Sequence, residues 1–290
     1  MAITITSNAS ALRSAHTLTR TTGALNHAFD RLASGLRINQ AKDDVAGFAI
    51  ATRMETRIRE QNKAIQNVGD AISMTQIADG GLQGGAQIMQ RMQELAIQSA
   101  NDTYGATDRQ SMEDEFNQLK TQLQHLADHV QFNGQKLLDG SMNGRKIQIG
   151  GAEDATGMLE WLSVDGNQAQ LTQREAVYSA WWATQGGTVP TPSILTQEQA
   201  EQAIGAINDA ITNVATQRTR LGAFESRLHS IQDNLMQATT EVTAARSKIR
   251  DVDLALESAN LASRSIIQNA TTAVLAQANQ QPVLAMKLLG

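Results

Sequence analysis

His125 and His129 stand four residues apart, a spacing that on a helix presents two imidazoles on one face and could hold a metal ion. The residues between them are Leu126, Ala127 and Asp128, without the internal glutamate of a zinc protease, and no third ligand accompanies the pair. A solvated helix face is the default for them, and His16, His27 and His229 are isolated. Asp43 and Asp44, beside Lys42 and Arg37, form a paired-carboxylate group of the kind that can divide acid and base roles. Trp161, Tyr178, Trp181 and Trp182 could stack against sugars, or form the core of a small domain. Gly80-Gly81 and Gly84-Gly85 lie inside a helical pattern and follow no strand, so they do not cradle phosphate. No Ser/His/Asp arrangement or dinucleotide fingerprint is present. The expectation is a chain that is not an enzyme and takes no metal or cofactor.

Composition narrows the classes further. The 290 residues include only 3% aromatics, three prolines and no cysteine. Such a chain lacks material for a thick core but suits helix–helix seams with small residues between them. The net charge of -5, without a basic block, argues against nucleic acid. The N-terminus has no continuous apolar stretch or cleavage site of a Sec signal. No window approaches the ~18 consecutive apolar residues that would span a bilayer, so membrane insertion is not expected.

The elements that position these residues follow from periodicity. Ala200, Ile207, Val214, Leu221, Leu228, Leu235, Val242, Ile249 and Leu256 recur every seventh residue. From Leu221 a second series runs three behind, at Phe224, Ile231, Ala238, Ala245 and Val252, which makes a coiled-coil seam. Before Leu221 the apolar companions sit four on, at Ile204 and Ile211, so a slip in phase is expected around Arg218 to Gly222. Thr196 and Gln199 make a capping box, and a helix over 197–250 would run roughly 80 Å at ~1.5 Å per residue.

Ile58, Ile65, Val68, Ile72, Leu82, Met89 and Ala96 mark a second long helix. Its Gly80, Gly81, Gly84 and Gly85 cost up to ~1 kcal/mol each relative to Ala and predict a bend or break there. A third helix is expected from a capping box at Thr107 and Gln110, carrying Met112, Phe116, Leu119, Leu123, Leu126 and Val130. It ends near the turn signal Asn133-Gly134, and the alternation of Lys146 to Ile149 predicts a strand in a small hairpin.

Both chain ends carry thin apolar stripes: Leu18, Leu25, Phe29, Leu32 and Leu36 at the start, and Val252, Leu256, Ala259, Ile266, Ala270 and Val274 near the finish. Met1 to Phe29 holds only Arg13 and Arg20 as formal charges of basic type, and no acid. Helices of this kind need pairing with each other and burial among other copies; in a lone monomer they are expected to be loose tails. Between 151 and 195 periodicity stops, as for a small insert.

Several segments carry a family likeness. Ser34 to Ala51 (SGLRINQAKDDVAGFAIA), Gln90 to Asn101 (QRMQELAIQSAN), Gln131 to Gly134, Leu221 to Leu228 (LGAFESRL) and the closing Met286 to Gly290 resemble motifs of bacterial flagellins, in the same order. The resemblance covers about 1–150 and 200–290. It implies a mainly α fold of long antiparallel coiled-coil helices from both chain ends, with a small β-hairpin region and a small central insert. The implied domains are paired terminal helices at 1–40 and 253–290, forming an inner filament core, and a helical rod at 41–150 and 196–252. Residues 151–195 would be a surface insert.

The implied function is a structural subunit of the flagellar filament for motility, exported through the flagellar type III channel and residing outside the cell. Its partners would be other copies, hook-associated and cap proteins, and an export chaperone at the C-terminal helix. Subunit contacts would involve Leu18, Leu25, Phe29, Leu32, Leu36, Arg37, Asp43, Asp44, Leu256, Ile266 and Val274, with the paired aspartates structural. Arg91, Leu95 and Glu115 match positions that some flagellins present to a Toll-like innate receptor, although Gln93 replaces a basic residue often found there. The alternatives are a hook–filament junction protein, or a surface polysaccharide-binding protein on the same scaffold.

Overall fold

A computed structural model describes residues 8–138, 146–150, 158–160 and 192–289. Five helices account for most of it: α1 (Ala9–Ser34), α2 (Val45–Ser99), α3 (Ala106–His129), α4 (Gln197–Arg250) and α5 (Leu254–Leu289). Between α3 and α4 lie two antiparallel pairs, β1 (Gln131–Phe132) with β2 (Gln135–Lys136), and β3 (Lys146–Gln148) with β4 (Met158–Glu160). The chain divides into two compact units, one of residues 1–58 and 240–290, the other of 59–239. Each therefore places the division deeper in the helices than the 40/41 and 252/253 boundaries expected from sequence.

In the middle unit, α2, α3 and α4 share one core, with Met89, Met92, Leu95, Phe116, Ile194 and Ile207 each at most 2% exposed. α2 and α4 run antiparallel: Gln61 meets Thr239, Gln76 meets Glu225, Arg218 clasps Asp79 through two bonds of 2.8 and 3.1 Å, and Gln93 meets Asn208. The sevenfold series in α4 is buried as expected at Ala200, Ile207, Val214, Leu221 and Leu228.

Its companions correct the expected slip. Ala203 and Ala210, three residues behind the main series, are 2% and 1% exposed, whereas Ile204 and Ile211 are only partly buried. Phe224 and Ile231, three behind Leu221 and Leu228, are partly buried against the cores. The most buried companions before Leu221 thus also lie three residues behind the main series. Small side chains occupy the line where the helices approach most closely, and the larger isoleucines pack on its flank.

The glycines of α2 do not break it; the helix is continuous over all 55 residues. A Cβ on Gly81 would stand 2.8 Å from Val130 Cγ2 and 3.0 Å from Leu138 Cδ1, and one on Gly84 or Gly85 would touch Leu126 or Leu123. These positions give up helix propensity, about 1 kcal/mol each, to let neighbouring side chains rest on the backbone. Gly80 faces open space and has no such role.

The third helix starts one turn-position earlier than expected. Its N-cap is Gly105 rather than Thr107, and Asp108 reaches back to the Gly105 N–H at 3.1 Å. Thr196 does cap α4, with its Oγ1 accepting from Gln199 N–H at 3.3 Å. Asn133-Gly134 is more than a stop signal. Both residues have positive φ, 49° and 77°, which closes the two-residue loop between β1 and β2. The strand expected at Lys146 is present, and its partner Met158–Glu160 lies within the segment assigned to the insert. Trp161, Tyr178, Trp181 and Trp182 lie outside the described residues.

Candidate functional site

In the terminal unit the segment Ser34 to Ala51 is a turn-and-cap device. Gly35 ends α1 with φ +69°, a left-handed conformation suited to glycine. That turn carries Leu36 into an isolated antiparallel bridge with Asp251, while the Val252 N–H donates to Gly35 O at 3.0 Å. The last carbonyls of α4 would otherwise be orphans. The Arg37 N–H donates to Arg250 O at 2.6 Å, and the Arg37 guanidinium to Ile249 O at 2.5 Å, a cation at a helix C-terminus.

Asn39 closes the same loop from the other side: its side-chain amide donates to Asp30 O and Ser34 Oγ, at 3.1 and 2.8 Å. The two aspartates have separate tasks, and neither is arranged as an acid–base pair. Asp43 Oδ2 accepts from the Asn39 and Gln40 N–H groups, both at 3.1 Å, and Oδ1 lies 3.5 Å from His27 Nε2. Asp44 precedes α2, and its Oδ1 accepts from Gly47 N–H at 3.0 Å, capping the first turn. A side chain at Gly47 would displace the cap, since a Cβ would stand 2.4 Å from Asp44 Oδ2 and 2.8 Å from Ile38 Cδ1. Asp253 Oδ1 does the same for α5, through the Ala255 and Leu256 N–H groups.

α1 and α5 pack antiparallel, with Thr22 meeting Gln268 at 3.1 Å and the Asn8 amide donating to Ala278 O at 2.8 Å. Leu18, Leu25 and Leu32 are half-buried on one stripe of α1, and only Ala28 is fully buried. The facing stripe of α5 is mixed: Glu257, Thr271 and Ala278 are its buried members. The expected stripe of α5 is therefore corrected, because Leu256, Ile266 and Val274 point away from the seam, 63%, 69% and 54% exposed. Phe29 of α1, at 54%, is likewise outside it. Thirteen large apolar side chains stand exposed among the described residues. Nine belong to the terminal unit: Leu12, Phe29, Val45, Ile50, Leu254, Leu256, Ile266, Ile267 and Val274. The other four belong to the middle unit, so the exposed apolar side chains are concentrated in the unit built from the chain ends.

In the middle unit, Arg91 and Glu115 meet at 2.9 Å on the surface, and Arg91 also pairs with Glu94. Leu95 does not join them: at 2% exposure it belongs to the core beneath. The His125 and His129 rings are 5.8 Å apart, edge to face, and His129 Nδ1 is 2.8 Å from the His125 carbonyl. No group of three metal-ligating side chains occurs among the described residues. Sequence reasoning missed Glu113 and Ser99, which hold the chain where it re-enters after the insert. Buried Glu113 accepts from Ile194 N–H at 2.6 Å, and the Ser99 hydroxyl donates to Ile194 O. A lone acid on the apolar face of α3 was the available signal.

Family comparison matches residues 5–143 to the bacterial flagellin N-terminal helical region and 204–289 to the bacterial flagellin C-terminal helical region. A flagellin of Halalkalibacterium halodurans is 38% identical over 90% of this chain and 90% of its own. Flagellin FlaB2 of Treponema pallidum is 35% identical over 98% of this chain and 99% of its own. Among solved structures, a protein assigned provisionally as hook-associated, from Vibrio parahaemolyticus, is 15% identical with a TM-score of 0.54, covering 72% of this chain and all of that one. That last likeness is one of fold.

The junction should respond to acid. Hydrogen bonds from the Gln40 and Asn39 N–H groups, with the charges of His27 and Arg31, hold the Asp43 carboxyl below its ordinary value of 3.8. Between the folded and unfolded values the unfolded chain binds more protons, so stability there rises with pH. The contribution is complete above about pH 4 and drains away as pH falls through the folded value. Measured against the intrinsic rate of an unstructured amide, which itself falls over this range, protection of the Asn39 and Gln40 amides should therefore drop on acidification from pH 5 to 3. In Asp43→Asn it should already be low at pH 5; equal protection in both proteins would refute this role.

Proposed function

The chain belongs to the bacterial flagellin family, and from that premise we propose that it is a structural subunit whose copies polymerise into the flagellar filament and serve motility. One observation carries this beyond membership: nine large apolar side chains lie uncovered on the unit built from the two chain ends. Residues spent on the α1–α5 seam, Leu18, Leu25 and Leu32, order that unit internally. Phe29, Leu256, Ile266 and Val274 remain for neighbouring copies to cover. Leu36, Arg37, Asp43 and Asp44 set the angle at which those faces are presented, through the bridge, caps and hydrogen bonds of the junction. The role is mechanical, with no catalytic step.

In this reading residues 1–40 and 253–290 build the inner core, 41–150 and 196–252 the surrounding rod, and 151–195 an outward-facing insert. The chain leaves the cell through the flagellar type III channel. The exposed apolar side of α5 suits a chaperone before export, and hook-associated and cap proteins bound the finished filament. These assignments rest on the family and on the exposed helix faces.

A second site follows from the Arg91–Glu115 pair. The two side chains, about half exposed, offer a compact polar contact for a Toll-like innate receptor, with Leu95 supporting them from the core. Removing an exposed pair of this kind costs only about 0–1 kcal/mol of stability. Arg91→Ala should accordingly keep its fold and lose reporter-cell activation as dispersed monomer; undiminished activation would remove the assignment.

Polymerisation is tested by salting out the purified chain with sulfate, which should give long filaments by electron microscopy. Deleting residues 1–36 removes α1 and half of the seam. That variant should stay dispersed while circular dichroism still reports helix from the middle unit, and filaments formed by it would contradict the proposed role of the ends.

A further inference from the structure

A cavity of about 400 Å³ lies in the terminal unit, walled by α1, the loop after it and α5, and lined by His27, Arg31, Lys42, Asp43, Glu257 and Arg264. Its charges do not cancel. Asp43 is already engaged, with two backbone N–H groups on Oδ2, His27 near Oδ1 and the Arg31 charge acting on it at longer range. That leaves Glu257, 7% exposed, opposite Arg31, Lys42 and Arg264. None of these three cations forms an ion pair among the described residues. Arg31 Nε is in addition buried without a hydrogen-bond partner. Buried donors are ordinarily satisfied, and an exception of this kind at a cavity wall suggests a missing acceptor.

The surroundings indicate where the acceptor comes from. The cavity lies in the same unit as exposed Phe29, Ile266 and Ile267, which the filament reading assigns to contacts between copies. By sequence the terminal unit holds twelve Lys and Arg against eight Asp and Glu, a net +4, and the middle unit twelve against twenty-one, a net −9. Surplus carboxylates are therefore supplied by every other copy of the same chain, and an arginine fork favours a carboxylate.

We propose that this cavity is a socket for an acidic side chain of a second copy, so that copies lock through a carboxylate set among Arg31, Lys42 and Arg264. The inference rests on the filament reading. It adds polar register to an apolar contact, which by itself would tolerate sliding.

Lys42 makes the test direct. Filaments grown from mixed ¹⁵N-labelled and unlabelled full-length chain are treated with a carbodiimide, which joins an amine to a carboxylate only in contact. Mass spectrometry should find Lys42 joined to an Asp or Glu in mixed-isotope pairs, absent from dispersed monomer. Arg264→Gln and the exposed Lys42→Gln should each keep monomer helicity and raise the concentration needed for assembly about tenfold. Lys42 coupled only within its own copy, or both variants assembling at the unaltered concentration, would overturn the socket. Inorganic phosphate that shifts the His27 ring signals of the monomer, with no coupling between copies in filaments, would assign the cavity to a solution anion and overturn it as well. Failure of the unaltered chain to assemble would instead bring down the filament reading, and this inference with it.

Discussion

Residues 36 and 251 must meet, and the terminal unit exists only once they do. α1 ends on a left-handed glycine, α4 ends on two carbonyls taken by Arg37, and a one-residue bridge joins the ends of the chain between them. Loop-closure entropy over some two hundred residues is modest in itself, because it grows only logarithmically with length. What the arrangement demands is order of events: α1 has no partner until α5 has been made.

The two units differ in what holds them. The middle unit has Met, Phe, Leu and Ile on the lines where helices meet, and those side chains are almost wholly removed from water. At roughly 25 cal/mol per Å² of apolar surface, such a core supplies most of its own stability. The α1–α5 seam has alanine, threonine and a carboxylate as its buried members. Leu18, Leu25 and Leu32 are only half-buried along it, and Phe29, Leu256, Ile266 and Val274 lie outside. The structure forms paired helices at the ends, as the family resemblance implies. The thinness of that seam is the physical reason the pair needs neighbours to be durable.

The long helices, their antiparallel pairing and the sevenfold series were legible because apolar period is a strong signal over many turns. The errors share a cause. Ile204 and Ile211 drew attention by size, yet Ala203 and Ala210 occupy the closest line of approach, where bulk is excluded. Gly81, Gly84 and Gly85 counted as helix breakers because their use is visible only when Val130, Leu126 and Leu123 lie against them. Leu256, Ile266 and Val274 were assigned correctly as apolar, but a single chain cannot tell which of two partners an apolar face will meet. Leu95, expected at the receptor-facing positions with Arg91 and Glu115, lies in the core, because a helix face has both a rim and a buried floor. At the junction the structural role expected of Asp43 and Asp44 is legible, but the backbone N–H groups that divide their tasks are invisible in sequence.

Covering of the terminal unit by other copies is the claim from which the rest follows, and amide hydrogen exchange compared between dispersed chain and assembled filament tests it most directly. α1 and α5 should exchange quickly in the monomer and become strongly protected on assembly, with the middle-unit segments of α2, α3 and α4 slow in both. Equal protection of α1 and α5 in monomer and filament would contradict the account.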